Sequence, residues 1–466
     1  MNGRRIMAPK FGTSGLRGLV TELTEHLVRD YVRAFIASCP NGSAVHVGQD
    51  LRPSSHQIAA WVLDEVQAGG LMAVDCGVTP TPALALSSME AGAAAVMVTG
   101  SHIPADRNGL KFYVPGGEIS KADEQAILGA LGGEAPSGPR GAFERRDVGA
   151  DYVCRYTGAF GPALQGLRVG VYQHSSVARD LLMEIMTGLG AEPVAIARSD
   201  VFIPVDTEAL DPETSALFAG WMAEHDLDVL ISTDGDADRP MVVDDEARVV
   251  PGDVLGALTA RRLGAGVICT PVSSNTQVDK GFGTVLRTRI GSPFVIAAME
   301  EALAQDKAAK VVGYEANGGF LLGFEAEGPK GDLPPLMTRD CVLPIVAPLV
   351  AAREAGMDLS ALIDALPARF TAADRIQGID TEVSKTFLAR LSGDAGARAD
   401  FFADQGDEIA VDETDGLRVT FASGAILHLR PSGNAPEFRC YAEAGSRERA
   451  VALCDATLEK LGAELK

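Results

Sequence analysis

The chain has 466 residues, 46% hydrophobic and 22% charged, the balance of a soluble enzyme built from roughly three or four domains. A formal net charge of −22 argues against nucleic acid or membrane as partner and makes any local cluster of Arg and Lys informative. Seven cysteines (39, 76, 154, 269, 341, 440, 454) form no CxxC or zinc spacing and read as reduced thiols of a cytoplasmic protein.

At the N-terminus, Met1-Asn2-Gly3-Arg4-Arg5 is followed by no apolar core, so no leader is expected, and no stretch nears the ~18 apolar residues of a membrane helix. Phe11-Gly12-Thr13-Ser14-Gly15-Leu16-Arg17-Gly18 follows. Three glycines and two hydroxyls around Arg17 suit an anion-binding turn, and equally suit an ordinary N-terminal turn. The pattern then predicts a helix over 24–38, a strand over 44–48, and a helix to about 68 that Ser54 or Ser55 can cap. A strand over 71–75 and a helix after Pro80-Thr81-Pro82 lead to the buried run Ala93 to Val98.

That run feeds the loop Thr99-Gly100-Ser101-His102-Ile103-Pro104-Ala105-Asp106-Arg107-Asn108-Gly109-Leu110-Lys111. Gly100, Pro104 and Gly109 make it a shaped turn. Ser101 offers a nucleophilic oxygen, His102 a proton acceptor and Lys111 a fixed positive charge, which together can carry a phosphoryl group. Neighbouring Ser and His also occur at capped loop ends.

Residues 116–148, rich in Gly, Glu and Pro after a short helix, read as a linker that closes a first α/β segment at 148. The alternation of strand and helix repeats over 149–250 and again over 251–369, with a short helix expected near 275–281. The second segment ends its buried strand in Asp234-Gly235-Asp236-Ala237-Asp238-Arg239, the third in Glu315-Ala316-Asn317-Gly318-Gly319. Ligands of open α/β sheets bind beyond the carboxyl ends of strands, so Ser101, Asp234 and Glu315 are expected to converge.

Asp234, Asp236 and Asp238 at i, i+2 and i+4 repel one another unless a cation compensates, and hard oxygen ligands suit Mg²⁺ or Ca²⁺. An EF-hand is excluded, because Arg239 and Asp245 stand where its Gly and Glu must be. A solvated acidic turn is the plain alternative. Three Asp ligands leave room for a phosphoryl oxygen, which favours Mg²⁺ and catalysis. The last segment, 370–466, predicts a hairpin over 417–429 that delivers Arg430-Pro431-Ser432-Gly433-Asn434 and then Arg439. Two guanidinium groups beside a hydroxyl and backbone donors suit a phosphate dianion; a proline-stiffened connection fits as well.

Side by side and in this order, these loops resemble those of the α-D-phosphohexomutase family, most closely its members acting on mannose phosphates. Phe11 to Gly18 is similar to the family's phosphate-contacting turn, Thr99 to Lys111 to its phosphoserine loop, and Asp234 to Arg239 to its D-G-D-x-D-R metal loop. Glu315 to Gly319 stands at its sugar-binding loop and Arg430 to Asn434 at its phosphate-binding loop.

The resemblance implies three related α/β domains with mixed sheets and a smaller α+β C-terminal domain, around a central cleft. It implies that Ser101 carries a phosphoryl group, bridged to one Mg²⁺ held by Asp234, Asp236 and Asp238. Transfer to a hexose 1- or 6-phosphate would pass through a hexose 1,6-bisphosphate that also serves as activator. Arg17, Arg239 and Lys111 would stabilise charge, and His102 or Lys111 would move the proton. Glu315 and Asn317 would meet the sugar, while Arg430, Ser432, Gly433, Asn434 and Arg439 would hold its non-reacting phosphate. The protein is expected to be a monomer or homodimer with a small-molecule hexose phosphate as its partner. Asn317 and Gly319 replace a usual Ser and His, so glucose or, less so, glucosamine phosphates stay open as substrates, as does release of phosphate to water.

Overall fold

The computed structural model describes residues 9–12, 15–134, 137–208, 212–431 and 437–465. The chain divides into two compact units, one of residues up to 268 with 291–362, the other of 269–290 with 363–466.

The first unit opens on an eight-stranded mixed sheet. Ala44–Gln49 lies at its centre, parallel to both Met72–Val78 and Ala94–Val98. Ala94–Val98 then pairs antiparallel with Arg107–Val114, which pairs antiparallel with Gly15–Leu19. Every residue of Ala94–Val98 is buried, which explains its unbroken apolar sequence. Helix Glu25–Ser38 begins where the Thr24 hydroxyl accepts from the Leu27 amide at 3.4 Å. It buries Val28, Tyr31, Val32 and Phe35 on one stripe, in a core with Val45, Val96 and Phe112.

Two expectations need refining here. Ser54 stands at the N-cap of helix Ser55–Ala68 without making a side-chain cap bond. Its hydroxyl accepts from Asn108 Nδ2 at 2.8 Å instead, and Ser55 Oγ donates to Asp50 Oδ1 at 2.5 Å. Tertiary partners have taken both hydroxyls. The segment read as a linker contains helix Lys121–Ala130, closed by a reciprocal Ser120–Asp123 cap, and the strand Phe143–Arg145. That strand is too short to show alternation, yet it adds parallel to Met72–Val78 at the sheet edge.

A four-stranded sheet follows, in the order Glu192–Arg198, Arg168–His174, Val229–Thr233, Pro240–Val243. The first three strands are parallel, and Pro240–Val243 turns back antiparallel across the acidic loop. Ile196, Phe218, Leu230 and Met241 share its core. Farther along, Val311–Tyr314, Phe320–Leu322 and Leu336–Asp340 form an antiparallel run.

The second unit carries a five-stranded antiparallel sheet, ordered Phe370–Gln377, Glu437–Ala444, Ile426–Pro431, Leu417–Phe421, Glu408–Asp412. Helix Arg447–Leu465 covers it through Ala450, Leu453, Cys454 and Leu461, packed with Phe438 and Cys440. The expected short helix near 275–281 is the 3₁₀ segment Thr276–Lys280, tied into this unit by the bond from the Thr276 amide to Glu443 at 3.2 Å.

Candidate active site

Ser101 sits three residues past the buried strand Ala94–Val98, with φ +53°, a left-handed conformation that costs an L residue about 1 kcal/mol. Arg52 holds that shape. Its buried guanidinium donates to four carbonyls of the loop: Ser101 (2.8 Å), Ile103 (2.5 Å), Pro104 (2.6 Å) and Arg107 (2.8 Å). Asp50 neutralises Arg52 at 3.1 Å and also accepts from the Thr99 hydroxyl at 2.8 Å. Gly100 is required, because a Cβ there would meet Arg52 Cζ at 2.4 Å. From the N-terminal turn, Arg17 Nη1 donates to the Gly100 carbonyl at 2.6 Å. Thr13 and Ser14 of that turn lie outside the described residues.

The serine loop meets the acidic loop directly. Ser101 Oγ donates to Asp234 Oδ2 at 2.6 Å and lies 3.3 Å from His102 Nδ1. The other oxygen of Asp234 accepts the amides of Asp238 (3.2 Å) and Arg239 (3.3 Å), so its own loop orients it. Lys111 Nζ donates at 2.5 Å to both Asp236 and Asp238. Thr81, first residue of helix Thr81–Glu90, donates its hydroxyl to Asp236 Oδ2 at 2.8 Å and its amide to the Asp236 carbonyl at 3.0 Å. A helix N-terminus thus faces the acids, where its dipole is favourable. Arg239 Nε stands 4.0 Å from Asp234 and 3.9 Å from Asp238.

Electrostatics separate the three acids. Burial, with Asp236 and Asp238 adding to it, pushes the Asp234 carboxyl well above the usual carboxylate range. Burial also works against charge on Asp236, yet Lys111 outweighs it and holds that carboxyl below its ordinary value. Burial, reinforced by Arg239 and Arg17, lowers His102 to about 2, so its imidazole is neutral and its protonated form is disfavoured.

The acid cluster passes a test for a divalent cation. One ligand oxygen from each of Asp234, Asp236 and Asp238 lies within 4.8 Å of the others, all three residues being buried. Asp236 Oδ1 and Asp238 Oδ1 have no hydrogen-bond partner among the described residues. Buried carboxylate oxygens in that condition, on hard ligands, suit Mg²⁺.

The loop after Val311–Tyr314 places Glu315 and Asn317, both buried. Asn317 Oδ1 accepts the Gly319 amide at 3.0 Å, which leaves its amide nitrogen to donate. Gly318 turns the loop with φ +85°. Burial raises the Glu315 carboxyl, with Arg339 and Arg239 opposing.

In the second unit, Arg430 and Arg439 face each other across adjacent strands, and Arg375 extends the row on the far side of Arg439. Arg430 Nε pairs with Asp415 at 2.9 Å and Arg439 Nη2 donates to Glu437 at 3.4 Å. Ser432, Gly433 and Asn434 lie outside the described residues.

Sequence reading gave no site role to Asp50, Arg52, Thr81, Glu118 and Arg339. Only Asp50 and Arg52 left a signal, an acid and a base two residues apart after a buried strand. The rest are single polar residues whose partners lie far along the chain.

A buried hydroxyl, a neutral imidazole, an ammonium and three carboxylates at the ends of α/β strands form the constellation of a metal-assisted phosphoryl-transfer enzyme. Comparison with known proteins narrows this class. The chain matches the phosphoglucomutase/phosphomannomutase descriptions for alpha/beta/alpha domain I over 8–135, domain II over 159–247, domain III over 251–370 and the C-terminal domain over 361–460.

It is 46% identical to a phosphomannomutase of Sinorhizobium fredii over 95% of this chain and 97% of that one. It is 40% identical to a phosphomannomutase of Salmonella muenchen, over 98% and 96%. Among solved structures, a phosphoglucomutase/phosphomannomutase family protein of Burkholderia thailandensis shares the fold with a TM-score of 0.78 at 22% identity, covering 97% of both chains. The chain belongs to the phosphoglucomutase/phosphomannomutase family. It is thus an isomerase, one that shifts a phosphoryl group on a hexose phosphate. No helix among the described residues is long and apolar enough to cross a membrane.

Proposed function

We propose that the chain interconverts mannose 6-phosphate and mannose 1-phosphate through a phosphorylated Ser101 and a hexose 1,6-bisphosphate. The observation that carries the reading is the bond from Ser101 Oγ to Asp234 Oδ2 at 2.6 Å, inside the acidic cluster. Asp234, Asp236 and Asp238 would hold Mg²⁺, which when bound supplies Lewis-acid charge stabilisation to the phosphoryl oxygens.

The remaining work falls to the protein. Lys111, Arg17 and Arg239 offset the negative charge that develops during transfer. His102, whose Nδ1 lies 3.3 Å from Ser101 Oγ, and Lys111 are the groups placed to move the proton of the attacking hydroxyl. Glu315 accepts from sugar hydroxyls and Asn317 donates to them. Arg430 and Arg439, with Ser432, Gly433 and Asn434, bind the phosphate that is not reacting. The bisphosphate must return to the serine loop by its other end, so these groups serve both orientations of one sugar.

The test follows ³¹P NMR of the purified protein with Mg²⁺ and a trace of hexose 1,6-bisphosphate, offering mannose, glucose and glucosamine 1-phosphates separately. Fastest conversion of the mannose ester to its 6-phosphate is expected. A faster glucose or glucosamine reaction would rename the substrate, and inorganic phosphate as sole product would overturn the mutase reading.

A further inference from the structure

Arg339 belongs to no motif, yet it stands at the junction of three loops. It lies on strand Leu336–Asp340, its side chain only 5% exposed. Nη2 is 2.8 Å from Asp238 Oδ2, Nη1 is 3.7 Å from Glu315 Oε2, and Nε is 3.8 Å from Glu118 Oε1. One guanidinium therefore neutralises a carboxylate of the acidic loop and a carboxylate of the sugar loop together. A lysine at this place would reach one of them and lack the planar fork that spans both.

Its position is fixed from two sides. The neighbouring Asp340 accepts from the hydroxyls of Tyr152 and Tyr156 and from the Val342 amide at 2.9 Å, which anchors the end of the strand. Glu118, from the strand pair Gly117–Glu118, accepts from Ser292 Oγ at 2.7 Å and Thr338 Oγ1 at 3.1 Å, which holds it beside Arg339. Asp238 Oδ2 is thereby committed to Arg339 and to Lys111, and Oδ1 is the oxygen without a hydrogen bond among the described residues. Glu315 Oε2 also has no hydrogen bond among them.

We infer that Arg339 is a positioning residue that couples the sugar loop to the cation site, through its shared pairing with Asp238 and Glu315. The coupling rests on the reading of Asp238 as a cation ligand and Glu315 as a sugar ligand. Its physics is simple. With Glu315 in place, the positive charge of Arg339 is divided among three carboxylates, those of Asp238, Glu118 and Glu315. When Glu315 is neutralised, Glu118 still takes part of that charge, but a larger share bears on Asp238 and opposes the cation.

The test is a double-mutant cycle read by Mn²⁺ binding, measured by electron paramagnetic resonance on the full chain without substrate. Glu315→Gln is expected to weaken Mn²⁺ binding about threefold to tenfold in the wild-type background. The same change should have almost no effect in Arg339→Met, and in Arg339→Lys should keep less than half its size on a logarithmic scale. Circular dichroism checks that each variant is folded; if Arg339→Met is not, the lysine variant decides.

An effect of Glu315→Gln that is equal in all backgrounds would overturn the coupling, as would wild-type protein that binds no Mn²⁺. The cycle uses no turnover. A protein with no mutase activity but an intact cycle would sink the proposed reaction and leave the coupling standing.

Discussion

The serine loop and the loop at Glu315 are held in different ways. Around Ser101, Arg52 binds four carbonyls, Asp50 neutralises Arg52, and Arg17 adds a bond to Gly100. The loop at Glu315 has a backbone turn of its own, with Gly318 N to Glu315 O at 2.9 Å and Asn317 closing on Gly319, and from outside it Arg339 pairs with the Glu315 carboxylate at 3.7 Å. Its carboxylate keeps an oxygen without a hydrogen bond among the described residues.

Phosphoryl transfer depends on placing the reacting oxygen within fractions of an ångström, and a rigid clasp delivers that. A sugar that must be read from either end gains more from polar groups left ready to pair. On the proposed function, the clasped loop serves the chemistry and the loop at Glu315 serves recognition of the sugar.

Substitutions can break this contrast or sharpen it. Ser101→Ala should reduce isomerisation by ~10⁴-fold or more, followed by ³¹P NMR, with the far-ultraviolet circular dichroism spectrum unchanged. Near-normal turnover by that variant would remove Ser101 from the reaction.

Arg52→Ala breaks a buried ion pair and strands four loop carbonyls. It should cost about 3–5 kcal/mol in urea unfolding and lower kcat by ~100-fold, although Arg52 is placed to touch only protein. Mg²⁺ should raise the unfolding temperature of the wild-type chain by a few degrees, on the order expected for ligand linkage, because it relieves the mutual repulsion of the acids. Asp236→Asn should largely abolish that rise, and chelation of Mg²⁺ should stop turnover in the unmodified chain.

The sugar loop should respond more mildly. Asn317→Ala removes one donor and should raise KM for the mannose ester by about fivefold with kcat nearly constant, the signature of uniform binding. A large fall in kcat would mean that this loop, too, is set for the transition state.

A separate effect, on stability alone, concerns pH. Burial lowers His174, whose Nε2 bonds the Thr233 carbonyl beside the acidic loop, to about 4, and likewise lowers His428 of the second unit to about 4. Below the ordinary value of 6.5 the unfolded chain takes up these protons while the folded chain does not until about pH 4. Stability is therefore lost as pH falls from about 6.5 to about 4 and levels off below, at up to about 1.4 kcal/mol per pH unit for each histidine. His174→Gln should flatten that slope in the unfolding of the first unit, and His428→Gln in that of the second.

Much of this protein was legible in its sequence. The strand–loop plan of Ala94–Val98 with Ser101, and of Val229–Thr233 with Asp234, follows from apolar runs that end in polar turns. The three aspartates, the hairpin over 417–429 and the strand–helix alternation are local patterns of the same kind. Side-chain chemistry and periodicity over a few residues decide such features.

What the tertiary structure alone decided is long-range pairing. The strand Phe143–Arg145 exists because Met72–Val78 offers it an edge. The hydroxyls of Ser54 and Ser55 left the helix cap for Asn108 and Asp50. Lys111 meets Asp236 and Asp238, more than a hundred residues away, and Arg339 joins Asp238 to Glu315. The neutral state of His102 likewise depends on burial and on Arg239 and Arg17, which only the folded chain brings near it. Desolvation and charge pairing depend on which groups become neighbours in space, and no local pattern encodes that.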